Sequence, residues 1–116
     1  MTSLTLPYPP TTNNLFFNAG KRRVRTKRYD LWIAEATVWV LQQRPAKTVG
    51  AFDLLIIATR PDRRARDISN LIKPIEDLLV KCGIVEDDSR AMQVAAGWSK
   101  SEPLKGGAIQ VTVTPA

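Results

Sequence analysis

The stretch Val49-Gly50-Ala51-Phe52-Asp53-Leu54-Leu55-Ile56-Ile57-Ala58-Thr59 decides the fold. Toward its end apolar residues fill both alternate sets of positions, the pattern of a strand covered on both faces. The run predicts a strand at the centre of a sheet. Its C-terminal end delivers the chain into Arg60-Pro61-Asp62-Arg63-Arg64-Ala65-Arg66, a loop too charged to be buried.

Working outward, the C-terminal side carries a helix and two strands. From Asn70 to Cys82, Leu71, Ile75, Leu78 and Cys82 align on one helical face, while Asn70, Lys73, Glu76 and Asp77 fall on the other. Pro74 lacks an N–H, so it fits only if the helix begins near Ile72 or kinks in its first turns. Gly83 suits the left-handed residue that closes a helix, and Cys82 reads as a small buried apolar group rather than a nucleophile. Gly83 to Ser89 forms a short excursion carrying Glu86, Asp87 and Asp88. Met92, Val94, Ala96 and Trp98 then alternate as a strand, Lys100 to Gly107 read as a hairpin-like link, and Ile109, Val111 and Val113 alternate with Gln110, Thr112 and Thr114 in the last strand.

On the N-terminal side, Ser3 to Leu6 alternate as a short strand that Pro7-Tyr8-Pro9-Pro10 ends, because proline cannot donate to a ladder. Thr11 to Asn14 read as a loop. The amides of Asn13 and Asn14 can meet a phosphate or base, or bond their own backbone. From Arg28 to Arg44, Tyr29, Ile33, Ala36 and Val40 recur at helical spacing with Thr26 as N-cap, and Trp32 and Trp39 flank the stripe as core or interface residues. The order βαβαββ gives an α+β or mixed α/β fold, a single domain over 1–116 with two helices packed on a mixed sheet of about four strands.

Length and charge narrow the function. A chain of 116 residues holds one core, and a net charge of +6 favours a polyanionic partner. Lys21, Arg22, Arg23, Arg25, Lys27 and Arg28, together with Arg60, Arg63, Arg64 and Arg66, gather more than half of the 17 cations into two short stretches. They read as tracks for a nucleic-acid backbone or as solvated loops. No apolar run reaches the roughly 20 residues that span a membrane, and the start lacks the charged and apolar regions of a signal peptide, so the chain is read as soluble and cytoplasmic. With no histidine, a His-based triad or His general base is excluded, and the absence of a GxxxxGK[ST] loop removes a P-loop nucleotide enzyme.

Within this basic chain, Asp67, Ser69, Asn70, Lys73, Glu76 and Asp77 cluster about the second helix, and Asp87 and Asp88 follow its end. Phosphodiester hydrolysis needs an activated water and relief of extra negative charge, which Mg²⁺ held by carboxylates supplies. Asp67 and the Asp87-Asp88 pair are the natural ligands, and Lys73 is placed to hold a phosphate. Alternatively Asp67 caps the helix and the remaining charges form a solvated face. A helix of this length, roughly 20 Å, lets the two acidic ends converge only through the neighbouring strand or a partner subunit.

Arg66-Asp67-Ile68-Ser69-Asn70-Leu71-Ile72-Lys73, then Asp77, Gly83 and Asp87-Asp88, resembles the signature of the RusA family of Holliday-junction resolvases, an RDxDN motif with a following lysine and a later DD. The opening Leu4-Thr5-Leu6-Pro7-Tyr8-Pro9-Pro10-Thr11-Thr12-Asn13-Asn14 is similar to that family's proline-rich start. The resemblance implies a homodimeric, Mg²⁺-dependent endonuclease, with Mn²⁺ a possible substitute and no nucleotide cofactor, that binds four-way DNA junctions and nicks paired strands. It matches Asp67 to the first metal-binding aspartate, Asp87 and Asp88 to the later pair, and Lys73 to the catalytic lysine. Ser69 departs from the pattern, since it stands where a second aspartate is expected. Either Asp77 or Glu76 compensates, or water fills the position, or the chain binds junctions and cuts poorly. A small RNA-binding module using the basic loops and tryptophans is a third reading.

Overall fold

The computed structural model describes residues 1–116, the side chain of Thr12 excepted. Eight regular elements follow one another: β1 (Thr2–Leu6), β2 (Phe16–Ala19), β3 (Arg22–Arg25), α1 (Lys27–Gln43), β4 (Phe52–Thr59), α2 (Ile72–Lys81), β5 (Ala91–Trp98) and β6 (Ala108–Pro115). Four of the strands make one mixed sheet in the order β1-β6-β4-β5. β6 runs antiparallel to both β1 and β4, whereas β4 and β5 are parallel. The βαβαββ order and the α+β class are those predicted; β2 and β3 are an addition, a separate two-stranded ribbon.

β4 lies inside the sheet as expected, but it is covered on one face only. Phe52, Leu54, Ile56 and Ala58 are buried, while Leu55 is 42% exposed on the opposite face. Apolar side chains on both sets made the strand read as doubly covered, yet both helices contribute their buried residues to one common core with the β4 inner face. The open face is tolerated because Leu55 and Ile57 sit beside Thr112 and Gln110 of β6, which keep much of it polar. The strand also starts later than predicted. Gly50 has a positive φ of 81° and Val49 is exposed, so the chain turns before Phe52.

β5 differs from expectation for two reasons. It is an edge strand, so Val94, beside the buried Leu54 of β4, remains 39% exposed. A bulge pairs Phe52 with Ala91 and Asp53 with Gln93, which leaves Met92 as the extra residue, 68% exposed. The connection after β5 is no hairpin link either. β4 lies between β5 and β6, so the chain must cross the end of β4, where Ser99 N donates to Ala58 O at 2.7 Å and Leu104 N to Arg60 O at 2.9 Å. Gly107 completes this crossing with φ 66°. A Cβ there would lie 2.8 Å from the Tyr8 ring and 3.0 Å from the Thr59 carbonyl oxygen.

The helix ends match their sequence signals. Thr26 caps α1 by accepting from Tyr29 N at 3.1 Å while its hydroxyl donates to Asn14 O. Trp32 is buried and donates Nε1 to Pro7 O at 3.0 Å, so it is a core residue with its polar atom satisfied. A 3-10 turn (Ile68–Leu71) precedes α2, which begins at Ile72 and places Pro74 in its first turn, where an N–H is not needed. At its other end Gly83 has φ 73°, and Ile84 N reaches back to Leu79 O at 2.9 Å. Leu71, Ile75, Leu78 and Leu79 of this region are buried, each contributing roughly 1.5–3 kcal/mol of transfer free energy. Cys82 is half-buried against the same core. Among the described residues, no helix is long and apolar enough to cross a membrane.

Candidate active site

The 3-10 turn of Ile68–Leu71 packs on β5, and the turn of Asp88–Arg90 leads into that same strand. β5 therefore brings the start of α2 to the acidic pair within a single chain. Lys73 Nζ lies 3.0 Å from Asp77 Oδ1, one helical turn on, and 3.4 Å from Asp88 Oδ2. Glu76 stands close enough to Asp88 to feel its charge: burial first, then Asp88, pushes its carboxyl pKa up. Asp77 foremost, with Asp88 in support, raises the Lys73 pKa, so this side chain is an ammonium and not a base near neutral pH.

Asp67 and Asp87 are built alike. Asp67 Oδ1 accepts from Ser69 Oγ at 2.8 Å and from Ser69 N at 3.1 Å, capping the 3-10 turn. Asp87 accepts from the hydroxyl of Ser89, again two residues on. In each case the serine hydroxyl is the main cause that lowers the aspartate pKa, since these donors favour the charged form. Ser69 thus lacks a charge of its own but favours the charged form of Asp67.

Asp77, Asp87 and Asp88 line a groove of about 910 Å³, whose other wall is made by Arg22, Arg23 and Arg25 of the ribbon. Asp67 and Asn70 open on a smaller hollow of about 290 Å³ with Arg64, Arg66 and Tyr8. The acids predicted to act together are thus divided between two hollows. Among the described residues, no three acidic side chains already converge as a ligand set. The donor chemistry nonetheless suits a hard divalent ion, since carboxylate, hydroxyl and amide oxygens are offered and Cys82 lines neither hollow.

The predicted DNA-binding cations divide sharply. Arg66 is only 19% exposed, paired with Asp62 at 2.7 Å and lying 5.9 Å from the Tyr8 ring centre, while Arg63 pairs with Glu102 at 2.6 Å and Arg64 with Asp62 at 3.8 Å. In the first cluster Arg25 pairs with Asp30 at 2.8 Å; Lys21, Arg22, Arg23, Lys27 and Arg28 have no ion pair among the described residues. Asn14 is committed to its loop, donating both its N–H and its side-chain amide to Thr11 at 2.8 Å, whereas Asn13 is exposed.

The sequence reading missed the ribbon that carries the first cluster. Its strands are four residues each, and neither Phe16-Phe17-Asn18-Ala19 nor Arg22-Arg23-Val24-Arg25 alternates apolar with polar residues, so Gly20, with φ 65°, was the available turn signal. A two-stranded hairpin is marginal alone in water. This one is fastened by the edge-on packing of Phe16 on Tyr29, 5.5 Å between ring centres, by the Arg25–Asp30 pair, and by Thr26 N donating to Leu15 O at 2.9 Å.

Comparison with known proteins adds one consistent finding. The family model Endodeoxyribonuclease RusA matches residues 7–114. The chain is 30% identical to the crossover junction endodeoxyribonuclease RusA of Escherichia coli (strain K12), over 97% of this chain and 92% of the relative. It is 28% identical to the crossover junction endodeoxyribonuclease rusA of Enterobacteria phage 82, over 96% and 92%, and 24% identical to that of Enterobacteria phage HK97, over 94% and 90%.

Proposed function

The chain belongs to the endodeoxyribonuclease RusA family, and on that premise we propose that it is a Mg²⁺-dependent, structure-selective endonuclease that binds four-way DNA junctions and nicks paired strands in recombination and repair. The observation that carries this reading is Lys73, held between Asp77 and Asp88, two carboxylates that line a groove together with the arginines of the ribbon. A phosphodiester drawn in by Arg22 and Arg23 meets an ammonium and a set of carboxylates at the same place.

Asp67, Asp87 and Asp88 are the residues that would hold Mg²⁺. When bound, the ion supplies an activated water and charge neutralisation at the phosphate. The contact of Lys73 with Asp88 is the longer of its two, and exposed pairs of this kind contribute no more than about 1 kcal/mol. A phosphate oxygen can therefore take Asp88's place beside the ammonium, which releases Asp88 for the ion and leaves Asp77 to steer Lys73. Lys73 then donates to a non-bridging oxygen or to the leaving oxygen. Asp77 is in this reading a positioning residue, while Ser69 and Ser89 donate to Asp67 and Asp87 and favour their charged forms.

A synthetic four-way junction incubated with the protein and Mg²⁺ is expected to yield symmetrically placed nicks, with Mn²⁺ able to substitute and a chelator abolishing cleavage. No nicking at any metal concentration would remove the enzymatic reading and leave junction binding alone.

Symmetric nicking calls for two copies, and β5 supports a homodimer. It is the longer of the two sheet edges, eight residues, Ala91–Trp98, with no charged side chain in a chain of net charge +6, so a like-charged copy meets little repulsion there. Val94→Lys at this edge is expected to shift the protein from dimer to monomer in sedimentation. A variant that sediments like the wild type would exclude β5 as the contact.

A further inference from the structure

We propose that Phe17, on the outer face of the ribbon, is a stacking contact for an unpaired or splayed base at the branch point of the bound DNA; this rests on the junction-binding reading above. Phe16 and Phe17 are adjacent, so they point to opposite faces of β2. Phe16 is spent on anchoring: it packs on Tyr29 and lies beneath the Arg23 guanidinium at 4.4 Å. Phe17 stays 50% exposed, paired across the ribbon with half-buried Val24, next to the Ala19–Arg22 pair.

A single exposed aromatic is ordinary on a protein surface. What distinguishes this one is its setting. Arg22, opposite Ala19, follows Phe17 and Val24 on the same face of a ribbon separate from the main sheet, Lys21 lies in its turn, and neither cation is in an ion pair among the described residues. Such a ribbon fits against a nucleic-acid groove, and cations of this density bring the phosphates of any DNA to within reach of the ring.

The ring and the cations discriminate differently. Phosphates are alike in linear and branched DNA, so the arginines favour both. Base faces are hidden inside a continuous duplex, and exposing one there costs stacking; at a strand exchange the stack is already interrupted. An aromatic beside the phosphate track therefore adds affinity only where a base face is free.

The test measures affinity for a four-way junction and for a linear duplex of the same sequence, over a range of salt, for the wild type, Phe17→Ala and Phe17→Trp. Phe17→Ala is expected to lose about tenfold on the junction, with duplex affinity and the salt slope unchanged, whereas Phe17→Trp retains junction affinity. A 2-aminopurine at the branch point should be quenched or shifted by the wild type and Phe17→Trp but not by Phe17→Ala. Equal loss on both DNAs, or no loss on either while the wild type still prefers and nicks the junction, overturns the role of Phe17 alone. A wild type with no preference for the junction overturns this role and the junction-binding reading together.

Discussion

Asp88→Asn is expected to lower the rate of junction nicking by about 10²–10³-fold at saturating Mg²⁺, the scale of losing one preorganised electrostatic contact at a reacting centre. The substitution keeps the side chain's size and removes its charge. Lys73 stays anchored, because its shorter contact is to Asp77, so the ammonium is not lost with the carboxylate. Binding of the junction without metal should stay the same or strengthen slightly, since one negative charge leaves a groove meant for phosphates. Gel-shift affinity and single-turnover nicking on the same preparation separate these effects. A variant that nicks within a few-fold of the wild type would show that Asp88 does not hold the ion.

Ser69→Asp should work in the opposite direction, raising nicking by about tenfold at limiting Mg²⁺ and lowering the Mg²⁺ concentration needed for half-maximal rate, because divalent affinity follows the number of charged oxygen ligands. The gain depends on pH. Ser69 donates twice to Asp67 and lowers its pKa. An aspartate at the same position removes the hydroxyl donor and adds a like charge, so the Asp67 pKa rises. A carboxylate with a lowered pKa keeps its charge until the pH falls through that low value; once the pKa is raised, the charge is lost sooner. The acid limb of the rate profile should therefore move to higher pH in Ser69→Asp, while the plateau near neutrality rises. If the variant is no faster at any Mg²⁺ concentration, Ser69 is not the place of a missing ligand, and water or Asp77 completes the set. Slow nicking by the wild type, with strong rescue by this variant, would instead support a junction-binding protein with a weakened site.

The two serines recast what looked like a defect. From the sequence, Ser69 reads as an aspartate lost. Its place in the 3-10 turn makes it a donor that orients Asp67 and favours its charged form, in the same manner as Ser89 beside Asp87. That role depends on the turn geometry, in which a residue two positions on points back at the carboxylate.

Much of the fold was legible because its signals are local. The helical stripe of Tyr29, Ile33, Ala36 and Val40, the cap at Thr26, the closing Gly83 and the alternation from Ile109 to Val113 each depend on a few neighbouring residues, and each is borne out. The errors fall where distant partners decide. Leu55 and Ile57 carry the composition of a doubly buried strand, yet no second layer covers them. Met92 was read as part of the regular alternation of its strand, and a one-residue bulge against β4 breaks that alternation and leaves it exposed.

The sequence by itself determined the succession of strands and helices and put Lys73, Glu76 and Asp77 on one polar helix face, because dihedral preference and helical periodicity act over a turn or two. Only the tertiary structure decided that β4 separates β5 from β6, that Lys73 meets Asp88 15 positions away, and that a basic ribbon faces the acidic groove. Those arrangements follow from which apolar faces bury one another, and no short window of the chain contains both faces.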